Sequence, residues 1–465
     1  MQVQSEGSPA ADAASGQLGD ELLHVSEQDR RGWWSIACIW IGNSFNVSTL
    51  MTGAILGAGL TLFDSFLAAF VGIGIVVAYM CFVAMEAADV GVPTSAMATA
   101  SLGKTGGRYL ISLIMGVSLI GWFGVQAAVC GSSFSLMAAD LIGFEIPVWI
   151  SSVFWGALML VTAVIGFDGV KWVNMVSAPL LAITVLYGLV ASVSGTGADS
   201  IFNYVPAEGI GLVSGISIAV GLFAVGGAGV GDFTRYARDR KGAVLSSIIG
   251  LWPAMIVVLM IGAVLAVVVP ESGGDISLIM ASLGLSVVGL VALVLSTWSV
   301  NVGNAYSAGL SFAVLSGKGE RSYKPATAIA GAVGIVLAAL GIADYFSLFL
   351  TVLSAMIPAL AGVMIADYWF IRKARPENFK PLPGVSVPGL VSFLVGSAVA
   401  MVTGGTFADI PALAFLNVPF FLGPINSIVV AMVLYVVIYK AMKLPSFPGA
   451  ICVVRGRVGG AQKGE

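Results

Sequence analysis

Long, unbroken apolar blocks separated by short polar connectors fill most of the chain; residues 66–85, 245–270 and 428–439 are examples. Apolar residues run continuously within these blocks rather than at every second position, which selects helices over the strands of a membrane barrel. A helix needs about 20 apolar residues to cross the hydrocarbon core. Lipid offers no partner to an exposed backbone group, so a crossing segment must satisfy its own hydrogen bonds. The pattern predicts twelve spans, at 33–57, 63–87, 108–138, 148–165, 170–193, 212–230, 243–269, 279–315, 326–342, 346–372, 388–403 and 420–442. The eighth is too long for one straight crossing and is expected to include a preceding re-entrant or interfacial segment.

Composition agrees: 58% of the 465 residues are hydrophobic and 10% are charged, against about 25% charged in a soluble domain. The charges are also segregated. All 21 lysines and arginines fall in segments that this layout puts on one side of the membrane, from Arg30 and Arg31 through Arg235, Arg238, Arg240 and Lys241 to Arg372, Lys373, Arg375 and Lys380. The other side holds acids such as Asp140, Glu145, Asp199, Glu271, Asp344 and Asp409. Cytoplasmic loops collect basic residues, so the chain is expected to have an even number of spans and both termini inside. The expected division is a disordered cytoplasmic tail (1–30), a five-helix unit (31–195), a second five-helix unit (209–373), two further helices (386–444) and a cytoplasmic tail (445–465).

Several functions are excluded at this level. No basic patch suits nucleic acid. Cys38, Cys81, Cys130 and Cys452 lack metal spacing, and the lone histidine, His24, sits in the polar tail. An intramembrane enzyme would need acids, bases or metal ligands converging at mid-membrane, and this layout provides none. A sensor would usually carry a sizeable soluble output domain. Lipid and a small molecule are the implied partners; no obligatory protein partner is evident.

Because five is odd, the second five-helix unit must enter the membrane in the opposite sense to the first. Inverted-repeat transporters have this arrangement, with a midplane site at broken helices. The first helix of each unit is where the break belongs. Span one carries Gly42, Asn43, Asn46, Ser48 and Thr49, and span six carries Gly226, Gly227 and Gly229. Small residues also serve close helix packing, so either cluster alone has two readings. In span three, Trp122 and Gln126 are four apart and share a helix face. An indole gives a flat ring a stacking wall, and a glutamine amide gives its edge a donor and an acceptor. Phe223 in span six is a candidate for the opposite wall. Span eight holds Ser296, Ser299, Asn301 and Asn304, too polar a run to face lipid; serine oxygens suit a hard cation such as sodium. Glu86, Asp89, Asp232 and Asp367 fall at inner helix ends, where charge pairing competes with a gating or proton-carrying role.

The runs Gly121-Trp122-Phe123-Gly124, Gly231-Asp232-Phe233-Thr234-Arg235-Tyr236, Asn304-Ala305-Tyr306-Ser307-Ala308-Gly309-Leu310 and Ile365-Ala366-Asp367-Tyr368 resemble the nucleobase:cation symporter-1 family, and within it the bacterial cytosine permeases. The resemblance implies an all-α integral membrane protein of the leucine-transporter fold, with five plus five inverted helices and two more at the end. It implies inner-membrane uptake of a base, driven by a cation gradient and without other cofactors. Trp122 and Phe223 match the aromatic pair that sandwiches the base, and Asn301 matches the asparagine at its edge. The backbone at Val225 and Gly226 matches an unwound stretch that also touches the base. Gly42 and Phe45 match positions whose carbonyls face sodium; Ser296 and Ser299 match its span-eight ligands. The chain departs from the cytosine permeases in having Leu119 where they carry a glutamine, and Gln126 as in the hydantoin and allantoin transporters. Val300 replaces a threonine hydroxyl of the sodium shell, which leaves a proton as the alternative coupling ion.

Overall fold

The computed structural model describes residues 24–165, 168–207, 209–316, 323–407, 412–418 and 420–451. Lys318, Arg321, Asp409, Arg455, Arg457, Lys463 and Cys452, together with the N-terminal tail before residue 24, lie outside them. Among the described residues the chain is helical without a strand, and its only bridge is an isolated one between Arg31 and Ala237. We number the helices α1 (Trp33–Ser44), α2 (Val47–Gly59), α3 (Leu62–Val90), α4 (Thr94–Leu102), α5 (Ser112–Ile142), α6 (Val148–Ile165), α7 (Asp168–Thr196), α8 (Leu212–Ala228), α9 (Arg240–Val268), α10 (Ile276–Ser282), α11 (Ser286–Ser316), α12 (Tyr323–Ala339), α13 (Phe346–Ile365), α14 (Val387–Thr403) and α15 (Gly423–Ala441).

Nine helical segments among the described residues are long and apolar enough to cross a membrane; α2, α12 and α14 are apolar but shorter. Bulky apolar side chains in mid-helix face outward, among them Phe70, Ile183, Val333, Leu394 and Val433. Such a belt is stable against lipid tails and not against water.

The helices form two groups. In one, α9 packs on α1, α2 and α3, and α8 packs on α3 and α13. In the other, α5 packs on α11, α6 and α12, and α6 packs on α12. The terminal helices α14 and α15 pack on each other and on α13.

Span one is broken. Phe45 (φ −86°, ψ 75°) and Asn46 (φ −140°, ψ 164°) leave the helical region between α1 and α2. Asn46 stabilises both ends: its Nδ2 donates to the Asn43 carbonyl at 2.5 Å, and its Oδ1 accepts from the Thr49 N–H at 2.9 Å. An N-cap of this kind contributes about 1 kcal/mol.

Span six behaves differently, and the expected unwinding at Val225 and Gly226 is corrected. Both are helical, and the Val225 carbonyl accepts from the Gly229 N–H at 2.8 Å. The helix is interrupted only at Gly229 and Val230, after which Gly231–Thr234 makes one more turn. The glycines here serve close packing: a Cβ on Gly227 would lie 2.7 Å from the Tyr79 hydroxyl.

Two shorter helices differ from the span plan. α10 is the segment expected ahead of span eight, separated from α11 by a turn. α4 has no counterpart among the predicted spans; it runs Thr-Ser-Ala-Met-Ala-Thr-Ala-Ser-Leu, too short and too mixed to show a helical apolar period. Residues from 24 to 30, expected in the disordered tail, are packed against the helices. The Val25 N–H donates to the Gly91 carbonyl, and the buried Arg30 guanidinium donates to the carbonyls of Ala88 and Ala237, at the end of α3 and in the turn before α9.

Candidate functional site

Helix α5 carries Trp122 and Gln126 one turn apart on a buried face. The Gln126 Nε2 donates to the Ser48 Oγ at 2.7 Å, so the amide reaches across to the first turn of α2, immediately after the break in span one. The Trp122 ring meets Phe346 and Phe349 edge-on, with centroids at 5.8 and 5.4 Å. Phe223 lies in the other helix group. Its ring meets Trp40 of α1 edge-on at 6.0 Å and lies over Gly226, where a side chain would collide with it. Beside it the Tyr79 hydroxyl donates to the Ala224 carbonyl at 3.0 Å, fixing α8 to α3. Trp122 and Phe223 thus belong to different helix groups, each supported by its own aromatic neighbours.

The span-eight asparagines divide their roles. Asn301 is fully buried, and its Nδ2 donates to the Phe123 carbonyl at 3.1 Å and lies 3.2 Å from the Met159 Sδ. It ties α11 to α5 and α6, directly behind Trp122. A main-chain carbonyl can only accept, which fixes the amide with Oδ1 turned toward Asn304, whose Nδ2 lies 3.4 Å away. Asn304 is half-buried and follows Gly303, beside which a Cβ would meet nothing within 4 Å. Asn304 is thus the more accessible of the two asparagines.

The residues of the expected cation set lie on two elements, the broken end of α1 and the middle of α11. The Gly42 carbonyl accepts from the Phe45 N–H at 3.2 Å at the broken end of α1, where carbonyls run out of helical partners. Ser296 and Ser299 are buried on α11, with the Ser299 Oγ donating to the Ser296 carbonyl at 3.0 Å. Carbonyl and hydroxyl oxygens at a helix C-terminus, the negative end of its dipole, suit a hard monovalent cation. Val300 adds no oxygen.

A cavity of about 650 Å³ opens above this region, lined by Met51, Ile55, Val129, Ser132, Asp275 and Phe346 among others. Phe346 belongs both to its wall and to the ring cluster around Trp122. Val129 is one turn from Gln126 along α5. The cavity therefore leads to the face that carries Trp122 and Gln126.

The opposite end is closed by buried charge. Arg240 Nε donates to both carboxylate oxygens of Asp89, at 2.9 and 2.8 Å; the Tyr368 hydroxyl donates to the same carboxylate, and Arg240 Nη2 reaches the Ala374 carbonyl at 2.7 Å. Arg372 pairs with Asp367 at 2.5 Å and also donates to the carbonyls of Asn378 and Ala100, while Tyr435 donates to Asp367 at 2.9 Å. Asp232 accepts from the Thr94 N–H at 3.0 Å. Glu86 is buried with Oε2 unpartnered. The sequence places these acids at one end, with Asp367 close ahead of Arg372 and Tyr368 in a family-like run, but it shows neither Arg240 as the partner of Asp89 nor the hydroxyls of Tyr368 and Tyr435 as donors to the acids. It also missed Phe346 and Phe349, which carry no polar signal. Ser48 was visible only as part of the polar run in span one.

A family model described as permease for cytosine/purines, uracil, thiamine, allantoin matches residues 25–418. The cytosine permease of Escherichia coli K12 is 31% identical over 377 residues, 81% of this chain and 87% of that one. The hydantoin permease of Microbacterium maritypicum is 24% identical over 371 residues, 74% of each chain. Mhp1 in its inward-facing conformation superposes with a TM-score of 0.74 at 21% identity, covering 92% of this chain and 95% of that one. A closed Mhp1 with bromovinylhydantoin bound, described as a nucleobase-cation-symport-1 family transporter, gives a TM-score of 0.70. The chain shares the Mhp1 fold, is a multi-pass membrane permease and not an enzyme, and belongs to the family of permeases for cytosine, purines, uracil, thiamine and allantoin.

Proposed function

We propose that this permease is a cation-coupled symporter that imports a nucleobase, with cytosine the lead substrate, by alternating access. The supporting observation is the pairing of Trp122 with Gln126 on one buried face, at the foot of the cavity, with Gln126 tied to the broken first span. The base stacks between Trp122 and Phe223. Gln126 and Asn304 meet its edge, Asn301 holds the backbone behind Trp122, and the α8 segment at Val225 and Gly226 forms part of the wall. Sodium is the coupling ion, held by the carbonyls of Gly42 and Phe45 and by Ser296 and Ser299; its preference for the outward-open state would favour substrate loading. A proton is the alternative.

The chain crosses the membrane twelve times in the inner membrane, with both termini cytoplasmic. The units are two inverted five-helix repeats (31–195 and 209–373) and a final pair (386–444). Reciprocal packing supports the repeats: span one lies on span seven through α2 and α9, and span six lies on span two through α8 and α3.

Uptake of a panel of radiolabelled bases into cells or proteoliposomes tests the substrate. Cytosine should enter and should be displaced by unlabelled cytosine; if it neither enters nor competes, the lead substrate is wrong. The second reading is another flat heterocycle, namely a purine, hydroxymethylpyrimidine, allantoin or a hydantoin. Leu119 together with Gln126 favours it, because that combination departs from the cytosine permeases.

A further inference from the structure

The end of the molecule closed by ion pairs buries one more acid than it buries cations. Glu86, Asp89 and Asp367 lie inside it with two guanidiniums, those of Arg240 and Arg372. Asp89 engages Arg240 at 2.6 Å, and Asp367 engages Arg372 at 2.5 Å. Arg372 also donates to the carbonyls of Asn378 and Ala100. The Tyr368 hydroxyl goes to Asp89 and the Tyr435 hydroxyl to Asp367. Glu86 is only 2% exposed, and its Oε2 finds no hydrogen-bond partner.

The groups that face Glu86 are Asp367, Arg372 and Asp89, together with Tyr368. The other elements packed on the end of α3 bring charges that are matched elsewhere. Arg240 of α9 is held by Asp89. Asp232, in the turn after α8, accepts the Thr94 N–H and faces Arg235. Glu377 is exposed and pairs with Arg375, and Arg30 of the tail pairs with Glu27 at 3.2 Å. The surplus is therefore one negative charge, on the carboxyl with an orphaned oxygen. A buried carboxylate without a cation or donor of its own is too costly to stay ionised and takes a proton instead. The like charges of Asp89 and Asp367 add to that cost.

We propose that Glu86 is a proton-binding site of the closed end: its carboxyl carries a proton while that end is shut and passes it to water when the end opens. The release rests on the alternating-access reading; the bound proton does not. The closed state then holds one proton more than the open state. Raising the pH therefore favours opening, and lowering it favours closure.

The bound proton is read by infrared spectroscopy of the full-length protein in detergent at neutral pH. A protonated carboxyl gives a carbonyl band that ionised aspartates and glutamates lack. The native protein should show this band, and Glu86→Gln, which keeps the shape of the neutral side chain, should lose it. Release is read from the distance between spin labels at Lys241→Cys and Lys324→Cys, exposed positions at the starts of α9 and α12, in a chain whose four native cysteines are replaced by alanine. The ratio of long to short distances should rise up to about tenfold per pH unit for one proton. In Glu86→Gln the ratio should be independent of pH and shifted toward the short distance. A native protein without the band would overturn the proposal, as would a band undiminished in Glu86→Gln or equal pH slopes in the two proteins. Base uptake keeps the two readings apart. Cytosine uptake by a protein that lacks the band would strike the proton site alone, whereas the band in a protein that moves no base would uphold the site and strike the transport reading.

Discussion

At the residue scale the site is built from groups whose orientation is fixed by partners outside it. Trp122 is held edge-on by two phenylalanines of α13, and the backbone behind it is held by Asn301. Base stacking on an aromatic ring contributes about 1–3 kcal/mol, so Trp122→Ala should weaken substrate binding roughly 5- to 150-fold while the protein still reaches the membrane. Binding of labelled cytosine to purified protein measures this, and undiminished affinity would remove the stacking role. The two asparagines should separate in the same assay. Asn301→Ala leaves the Phe123 carbonyl without a side-chain donor inside the protein, so it should lower thermal stability by about 1–3 kcal/mol. Asn304→Ala should leave the melting temperature near that of the native protein and weaken the substrate instead. Equal loss of stability in both variants would contradict the division of roles.

At the scale of elements, a break and a lock define the two ends of the site. The break in span one arises because Asn46 ends one helix and caps the next, which places Ser48 where Gln126 can reach it. The lock is the Asp89–Arg240–Tyr368 network, which joins α3, the start of α9 and the π turn Ala366–Ile371 that follows α13. Removing one member of a buried ion pair leaves an uncompensated charge at a cost of about 3–5 kcal/mol, whereas replacing both partners with apolar residues of similar size can be nearly neutral. Asp89→Leu and Arg240→Met should therefore each destabilise the permease strongly, and the double variant should recover much of the loss. Thermal-shift measurements in detergent make the comparison. A double variant no better than the worse single one would show that the pair does not act as a unit.

At the scale of the whole molecule, one end is closed by these ion pairs while the other holds a 650 Å³ cavity above Trp122. Alternating access requires the closed end to open after substrate and cation are bound. If sodium is that cation, replacing it with choline at constant pH should abolish concentrative uptake and weaken substrate binding, since each ligand shifts the other's affinity by the same factor. Uptake that persists in choline and collapses when a proton gradient is removed would assign the coupling to protons, in keeping with the missing hydroxyl at Val300.

The alternation of apolar blocks and polar connectors was sufficient to locate the long helices, though not α4, because lipid requires long apolar segments and permits few other solutions. It located α6 to the residue and α8, α9 and α11 to within a few positions at their clear ends. The polar run of span one carried its own break, since Asn46 caps through a local hydrogen bond. Local sequence could not decide which glycine in span six would leave the helix, because Gly227 serves packing against Tyr79 across space, and Gly229 takes the bend. Nor could it decide that Asn301 would face the Phe123 carbonyl while Asn304 stays half-buried, or that Asp89 would find Arg240. Those partners are distant in sequence, and only the packed helices set which side chains share a dry interior where every donor needs an acceptor.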